Sequence, residues 1–478
     1  MKQGLSKVID KFNAFAKSDW YIALVAAVVY AGWVSGYWAA FLCVLAVICA
    51  LPLFTSDSNR PILAFFFHVT FIIGHEHHDL GAYWWLLFFL IPLLGGVVFQ
   101  TIRFRRGYDW GILSPKRIKG QNCLLLLMAV PFALGGVTRS HEKPVVVLIA
   151  FLLFLLIGVF YSFLMAGTYR REDKKTLPDY VLKCLISLGV VISLQLLTFY
   201  IRLGSMDDIL YCIKWKFHEL GWGGPNNIGL MYTLTIPAAF YYCTRQSKLT
   251  PLFVLLGVLE LGLLVSTGSR GAIFVVLFAL PAILLYVMAV TPNKLAYGIS
   301  LCAVLLVGVG LLVWKADKII PAMADRFALG FSANGRFENE YPKALDAIKH
   351  YPVFGAGWDY LMGTNFSDGY TPFWFHSTAL QVASMMGVFG FLVYAVWFFQ
   401  RYRVFYLQRK DRRILFLFVS TLLFGTYSMV DTGFFSPTFL VMVLIMQFAA
   451  EVNLPENKGY ALPRKWVQPK PKEPADLD

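Results

Sequence analysis

Apolar residues in this chain fall in long, nearly unbroken runs divided by short polar breaks. The stretches 145–168, 177–201, 249–267, 272–290, 295–314 and 377–399 each hold roughly the 20 apolar residues that a helix needs to cross a hydrocarbon core. Shorter or less uniform runs at 21–35, 37–54, 61–74, 82–101, 122–137, 227–243, 414–430 and 434–450 bring the expected total to about fourteen spans. Strands of an outer-membrane barrel alternate every second residue, and no such pattern is present. The fold class expected is therefore all-α: a polytopic integral membrane protein. Composition agrees, because 58% hydrophobic and 17% aromatic residues against 15% charged leave more apolar surface than a soluble core of 478 residues could hide.

The polar breaks give the orientation. Lys and Arg gather at Arg103, Arg105, Arg106, Lys116, Arg117 and Lys119, again at Arg170, Arg171, Lys174 and Lys175, and again between Arg401 and Arg413. These basic loops alternate with loops poorer in Lys and Arg, the signature of cytoplasmic loops, so the net charge of +14 points to membrane topology and not to nucleic acid. The lysines of the first seventeen residues and the basic tail fit the same side. An even number of spans then places both termini in the cytoplasm, which requires 61–74 to cross despite its length and His68. The polar opening MKQGLSKVIDKFNAFAK shows no cleavable signal, so the first span is expected to be retained. Three regions follow: N-terminal spans over 1–203, a polar-looped region over 204–450 with a large outer loop at 315–376, and a proline-rich, disordered cytoplasmic tail over 451–478. Seven cysteines stand singly along or beside apolar runs and read as small core residues, neither metal ligands nor disulfides.

Two sizeable segments, 203–225 and 315–376, are expected on the outer face. In the second, RFENEYPKALDAIKH from Arg336 to His350 spaces Tyr341, Leu345 and Ile348 helically, has acids in its first turn, and stops at Tyr351-Pro352, which predicts a short surface helix. The Gly- and aromatic-rich VFGAGWDYLMGTNFSDGY after it reads as a shaped loop. Three residues from distant parts of the chain should meet on this face. Arg270 ends a span in STGSRG, where an arginine either faces a polar cavity or snorkels to headgroups. Arg336 opens the surface helix; its guanidinium fork suits phosphate oxygens, or a salt bridge to Glu338, Glu340 or Asp346. His376 heads the span that begins WFHSTALQ, where it is either structural or a base for a hydroxyl nucleophile. Two arginines beside a histidine suggest group transfer onto an alcohol.

Lesser candidates are the HEHH cluster at 75–78, which lacks the spacing of a helical zinc site, and Glu260, an acid in mid-span about 15 Å along the helix from Arg270. Ser269 with His376 has the makings of an intramembrane protease dyad, but GSRG lacks the small-residue motif such a protease needs.

Taken together and in order, GWGGPNNIGLMYTLTIPAAF (221–240), STGSRGAIFVVL (266–277), NGRFENEYPKALDAIKHYPVFGAGW (334–358) and FHSTALQVASMMGVFGFLVY (375–394) resemble the O-antigen ligase and O-antigen polymerase superfamily. The resemblance covers roughly 221–450; the first 200 residues match only as apolar helices. It implies a metal-independent, inverting glycosyltransferase with no cofactor, acting at the outer face of the bacterial cytoplasmic membrane on glycans carried by undecaprenyl diphosphate. It also implies that Arg270 and Arg336 hold the donor diphosphate and that His376 activates the acceptor hydroxyl, in keeping with the charge a departing diphosphate needs. Expected partners are the lipid-linked oligosaccharide, an acceptor glycan on a lipid-linked chain or lipid core, membrane lipid, and a chain-length regulator or other polysaccharide-assembly protein. Many members carry Asn directly after the histidine, where this chain has Ser377. Trp358, Tyr360, Tyr370, Trp374 and Phe375 are the aromatics able to stack on sugar rings, Trp358 and Trp374 being the substrate-binding candidates; for most of them an interfacial aromatic belt is the favoured reading. The expected activity is polymerisation ahead of ligation, because nothing in the chain calls for a lipid A-core acceptor. A transporter or flippase for lipid-linked glycans is the alternative, and it predicts broken or charged helices at the midplane.

Overall fold

The structure is a computed structural model and describes residues 2–74, 87–113, 120–139, 143–245, 248–328, 336–361, 374–431, 433 and 437–454. Helices form wherever the sequence offers an apolar run. They are α1 (Lys2–Ala16), α2 (Asp19–Ser35), α3 (Trp38–Thr55), α4 (Arg60–His68), α5 (Leu87–Arg103), α6 (Gly120–Leu134), α7 (Pro144–Thr168), α8 (Leu177–Leu203) and α9 (Met206–Trp215). The chain continues through α10 (Pro225–Cys243), α11 (Thr250–Ser266), α12 (Arg270–Val290), α13 (Lys294–Trp314), α14 (Ala316–Ala328), α15 (Tyr341–His350), α16 (Thr378–Tyr406), α17 (Arg412–Ser428) and α18 (Pro437–Glu451). No strand occurs among the described residues.

Each of the fourteen apolar stretches coincides, in its described part, with a helix. Five of these helical segments are long and apolar enough to cross a membrane unaided: α3, α7, the segment Asp173–Leu203 that contains α8, α12 and α16. A sixth span forms if Lys7–Ala16 and Asp19–Ser35, bent 69° to one another, are taken together. The protein is thus a multi-pass membrane protein. Most of the other apolar helices, such as Arg60–Ile72 and Thr250–Ser266, are shorter than a full crossing. Of the six described cysteines, all are free; four are buried, as a core reading requires, but Cys302 is exposed. The HEHH cluster and Tyr370 lie outside the described residues, as do residues 455–478 of the tail.

Helix α10 is the axis of the bundle. Every residue from Ile228 to Cys243 is buried, and α8, α11, α12 and α17 pack around it. A helix apolar on all sides has no solvent face to keep and belongs in such a centre. Close approach at its start depends on small residues: a Cβ on Gly229 would lie 2.8 Å from the Ser269 side chain.

Helix α16 is broken at Gly387, whose φ of 65° and ψ of −167° only glycine adopts readily. The loop after α15 fills the break. Ala356 N donates to Ser384 O (2.7 Å) and Gly357 N to Met385 O (3.0 Å), while Val388 N and Phe389 N donate to Pro352 O and Val353 O (2.8 and 3.2 Å). Four helix groups that the kink frees are therefore satisfied by the loop, the condition for irregular backbone within a membrane protein. Gly355, with φ 71°, lets the loop backbone lie directly on Met385–Gly387. The same loop is tied to the turn after α6: Arg139 donates to Ala356 O (2.9 Å) and pairs with the fully buried Asp359 (2.7 Å). The shaped loop expected from VFGAGW is thus a clamp joining α6, α15 and α16.

Candidate functional site

The clamp fixes α15 against the start of α16, and there the predicted residues meet. The predicted helix over 336–350 begins with a π-helical turn, Arg336–Glu340, before α15 proper. Such wide turns frequently mark functional positions; here it places Arg336 and Glu340 toward the same centre. His376 sits one residue before the N-cap of α16 in a left-handed conformation, φ 46°, which is strained for a non-glycine residue. Its neighbours hold it: Phe375 N donates to Gln381 Oε1 (2.9 Å), and Ser377 accepts from Leu380 N as the helix cap. Ser and Asn fill an N-cap equally well, so the serine that follows His376 keeps that structural task.

Asp431, just after α17, is the hub. His376 Nδ1 lies 3.3 Å from its Oδ1, Tyr427 donates to its Oδ2 at 3.2 Å, Arg336 Nη2 stands 3.9 Å from Oδ2, and Thr378 donates to its backbone carbonyl at 3.2 Å. On the other side of the ring, His376 Nε2 lies 4.0 Å from Glu340 Oε1. Burial lifts the Glu340 carboxyl above the usual carboxylate range, against the pull of His376 and Arg336. Arg336 also donates to Val430 O at 2.7 Å; its close ion pair is with Asp431, and it acts on Glu340 only over a longer distance.

Arg270, the first residue of α12, joins Arg336 in lining a recess of about 80 Å³ with Lys216, Asn226, Gly271, Tyr427 and Val430. The N-termini of α10 and α12 both reach this recess, through Asn226 and through Arg270 and Gly271. Helix N-termini carry partial positive charge and favour anions, so the backbone reinforces the cations. Gly271 is needed for fit: a Cβ there would lie 2.7 Å from the Tyr427 ring. A polar chain runs through the site. Lys216 Nζ and Ser269 Oγ both donate to Asn226 Oδ1 (3.0 and 3.4 Å), the Ser269 and Tyr427 hydroxyls stand 2.9 Å apart, and Tyr427 leads to Asp431 and His376. Ser269 is thus engaged with Asn226 and Tyr427, which gives a Ser269–His376 protease dyad no support.

The aromatic candidates divide. Trp374 is half-buried two residues before His376, beside the fully buried Phe375. Trp358 is 4% exposed and stacks on Phe132, with ring centroids 4.8 Å apart and planes 2° apart; it lines no part of the recess. Glu260 is fully buried on α11, accepting from Thr235 at 2.8 Å, remote from this cluster along the helix. Sequence reasoning did not single out Lys216, Asn226, Tyr427 or Asp431, and named Glu340 only as an ion-pair partner for Arg336.

The site thus combines, in a multi-pass helical membrane protein, a recess lined by Lys216, Arg270 and Arg336 with a histidine held by the carboxylate of Asp431. In comparison with known families, residues 252–395 match the family model described as O-antigen ligase, a segment that contains Arg270, Arg336 and His376. The match supports the O-antigen ligase and polymerase superfamily, and with it a membrane enzyme of surface-polysaccharide assembly. No curated protein matches the chain significantly.

Proposed function

We propose that this protein is a glycosyltransferase that takes a glycan from undecaprenyl diphosphate and joins it to an acceptor sugar hydroxyl at the outer face of the cytoplasmic membrane, extending a surface polysaccharide as a polymerase. The observation that carries the reading is that Asp431 stands within 3.3 Å of His376 and forms a 3.9 Å ion pair with Arg336, one of the two arginines lining the recess.

In this reading Arg270 and Arg336 bind the donor diphosphate in the recess and fix the anomeric carbon toward His376. Asp431 accepts Nδ1–H of His376, which leaves Nε2 as the basic nitrogen facing the acceptor. As the acceptor oxygen forms its bond to the anomeric carbon, the bond from that carbon to the diphosphate oxygen breaks with its electron pair, and the hydroxyl proton passes to Nε2. Attack opposite the leaving group inverts the anomeric centre. Asp431 stabilises the imidazolium that forms, and the arginines stabilise the departing diphosphate. To Trp374, half-buried and two residues before His376, this reading gives the task of stacking on a sugar.

A host deleted for this gene and complemented with wild type or His376→Ala tests the reading, with membrane abundance measured alongside. Long chains restored by wild type, and single lipid-linked repeats left by an equally abundant His376→Ala, are the expected results. Long polymer accumulating on the lipid carrier in the variant would assign the site to ligation instead, and full activity of His376→Ala would remove the base from the mechanism.

A further inference from the structure

Lys216 is the third cation of the recess, and it comes from a part of the chain outside the segment matched by the family model. It ends α9 in the left-handed conformation, φ 60°, which turns the chain sharply at the helix C-terminus, and its Nζ is held 3.0 Å from Asn226 Oδ1. Asn226 in turn accepts from Ser269, the residue before Arg270. A lysine made only for solvation would not need a strained backbone and a tether shared with the residue adjoining the recess arginine. No carboxylate is among the residues that line the recess.

Resting on the donor reading above, we propose that Lys216 contacts the diphosphate of the donor and matches the charge that appears as it leaves. A glycan-linked diphosphate diester carries about two negative charges; once the bond to the anomeric carbon breaks, the electron pair stays on the terminal phosphate and the charge rises to about three. Arg270 and Arg336 face the first state, Arg336 sharing its charge with Asp431, and Lys216 is the further cation that meets the added charge in the second. An interaction that grows as the leaving group forms accelerates the chemical step more than it tightens donor binding. The terminal phosphate therefore lies on the Lys216 and Asn226 side of the recess.

The test uses the full-length protein in nanodiscs with two readouts: binding of inorganic pyrophosphate against inorganic phosphate, and turnover of a lipid-diphosphate-linked glycan. The expected result is that Lys216→Gln weakens pyrophosphate binding about 10-fold or more and lowers kcat more than it raises KM, while Lys216→Arg recovers most of both. Lys214→Gln, on the same helix but outside the recess, is expected to behave as wild type. If Lys216→Gln binds pyrophosphate and turns over as wild type while Arg270→Gln does neither, the role of Lys216 is overturned and the donor site stands. Failure of the wild-type protein to bind pyrophosphate, with Arg270→Gln fully active, overturns the donor site and the role of Lys216 together.

Discussion

Replacing Asp431 by Asn isolates the charge that the site places on His376. The amide keeps the size of the side chain and an acceptor oxygen for Nδ1, 3.3 Å away, so the ring stays oriented while the negative charge is lost. Coulomb attraction between Asp431 and an imidazolium at that distance is about 5 kcal/mol at an effective dielectric of about 20 and about 1.3 kcal/mol in bulk water. The His376 side chain is 32% exposed and that of Asp431 12%, so the site lies between those limits and about 3 kcal/mol is a fair central value. That corresponds to roughly a 100-fold fall in turnover. Donor consumption by purified Asp431→Asn in nanodiscs measures it, with thermal stability recorded on the same sample. Turnover within about threefold of wild type would refute the reasoning, since a proton accepted by His376 would then form its cation without need of the carboxylate.

Gly387→Ala should deplete folded protein from the membrane, because the substituted residue must hold a φ of 65° at a strain of roughly 1–3 kcal/mol and its Cβ would meet the Val353 carbonyl; Gly262→Ala, in open space on α11, should leave abundance unchanged. Asp359→Ala removes the carboxylate partner of Arg139, whose side chain is only 13% exposed, and should lower stability by about 3 kcal/mol, read as a large fall in Tm. Glu340 gives a pH signature. Its carboxyl is raised by burial, so the folded state holds its proton above the pH at which the unfolded chain releases it, and its contribution to stability is present in acid and lost as pH rises through the raised value. Glu340→Gln, permanently neutral, should therefore gain Tm relative to wild type at pH 7 more than at pH 4; an equal difference at both values would contradict the burial argument.

The helices were legible because a span needs little beyond a long apolar run, and the start of the surface helix at Arg336 was legible from its acids and proline. The break in α16 was not. MMGVFG reads as continuous apolar helix, and only the loop of Gly355 and Gly357, about thirty residues earlier and pairing with the freed groups, makes a kink at Gly387 stable. Arg270 and His376 stood out because charge is conspicuous at the ends of apolar runs, and Arg336 because it opens the surface helix. Asp431 did not, since a single acid in the short turn between two apolar stretches looks like ordinary punctuation; its role comes from where Tyr427, Thr378 and Arg336 converge. Lys216 was hidden among the other basic and aromatic residues of KWKFHELGW, with the GWGGPNN turn that follows as the one local hint. Trp358 misled for the opposite reason. An aromatic in a Gly-rich loop suggests a sugar platform, but the clamp carries this loop inward and stacks the ring on Phe132.

In the proposed reaction His376, held by Asp431 beside the recess that Arg270 and Arg336 line, drives glycan transfer from a lipid diphosphate. Single-turnover release of lipid diphosphate from a lipid-diphosphate-linked glycan, measured for wild type and for His376→Ala at equal folded concentration, tests it most directly. Release by wild type only when acceptor is present, and a loss of about 100-fold or more in the variant, are the expected results. Release at the wild-type rate by His376→Ala would contradict it.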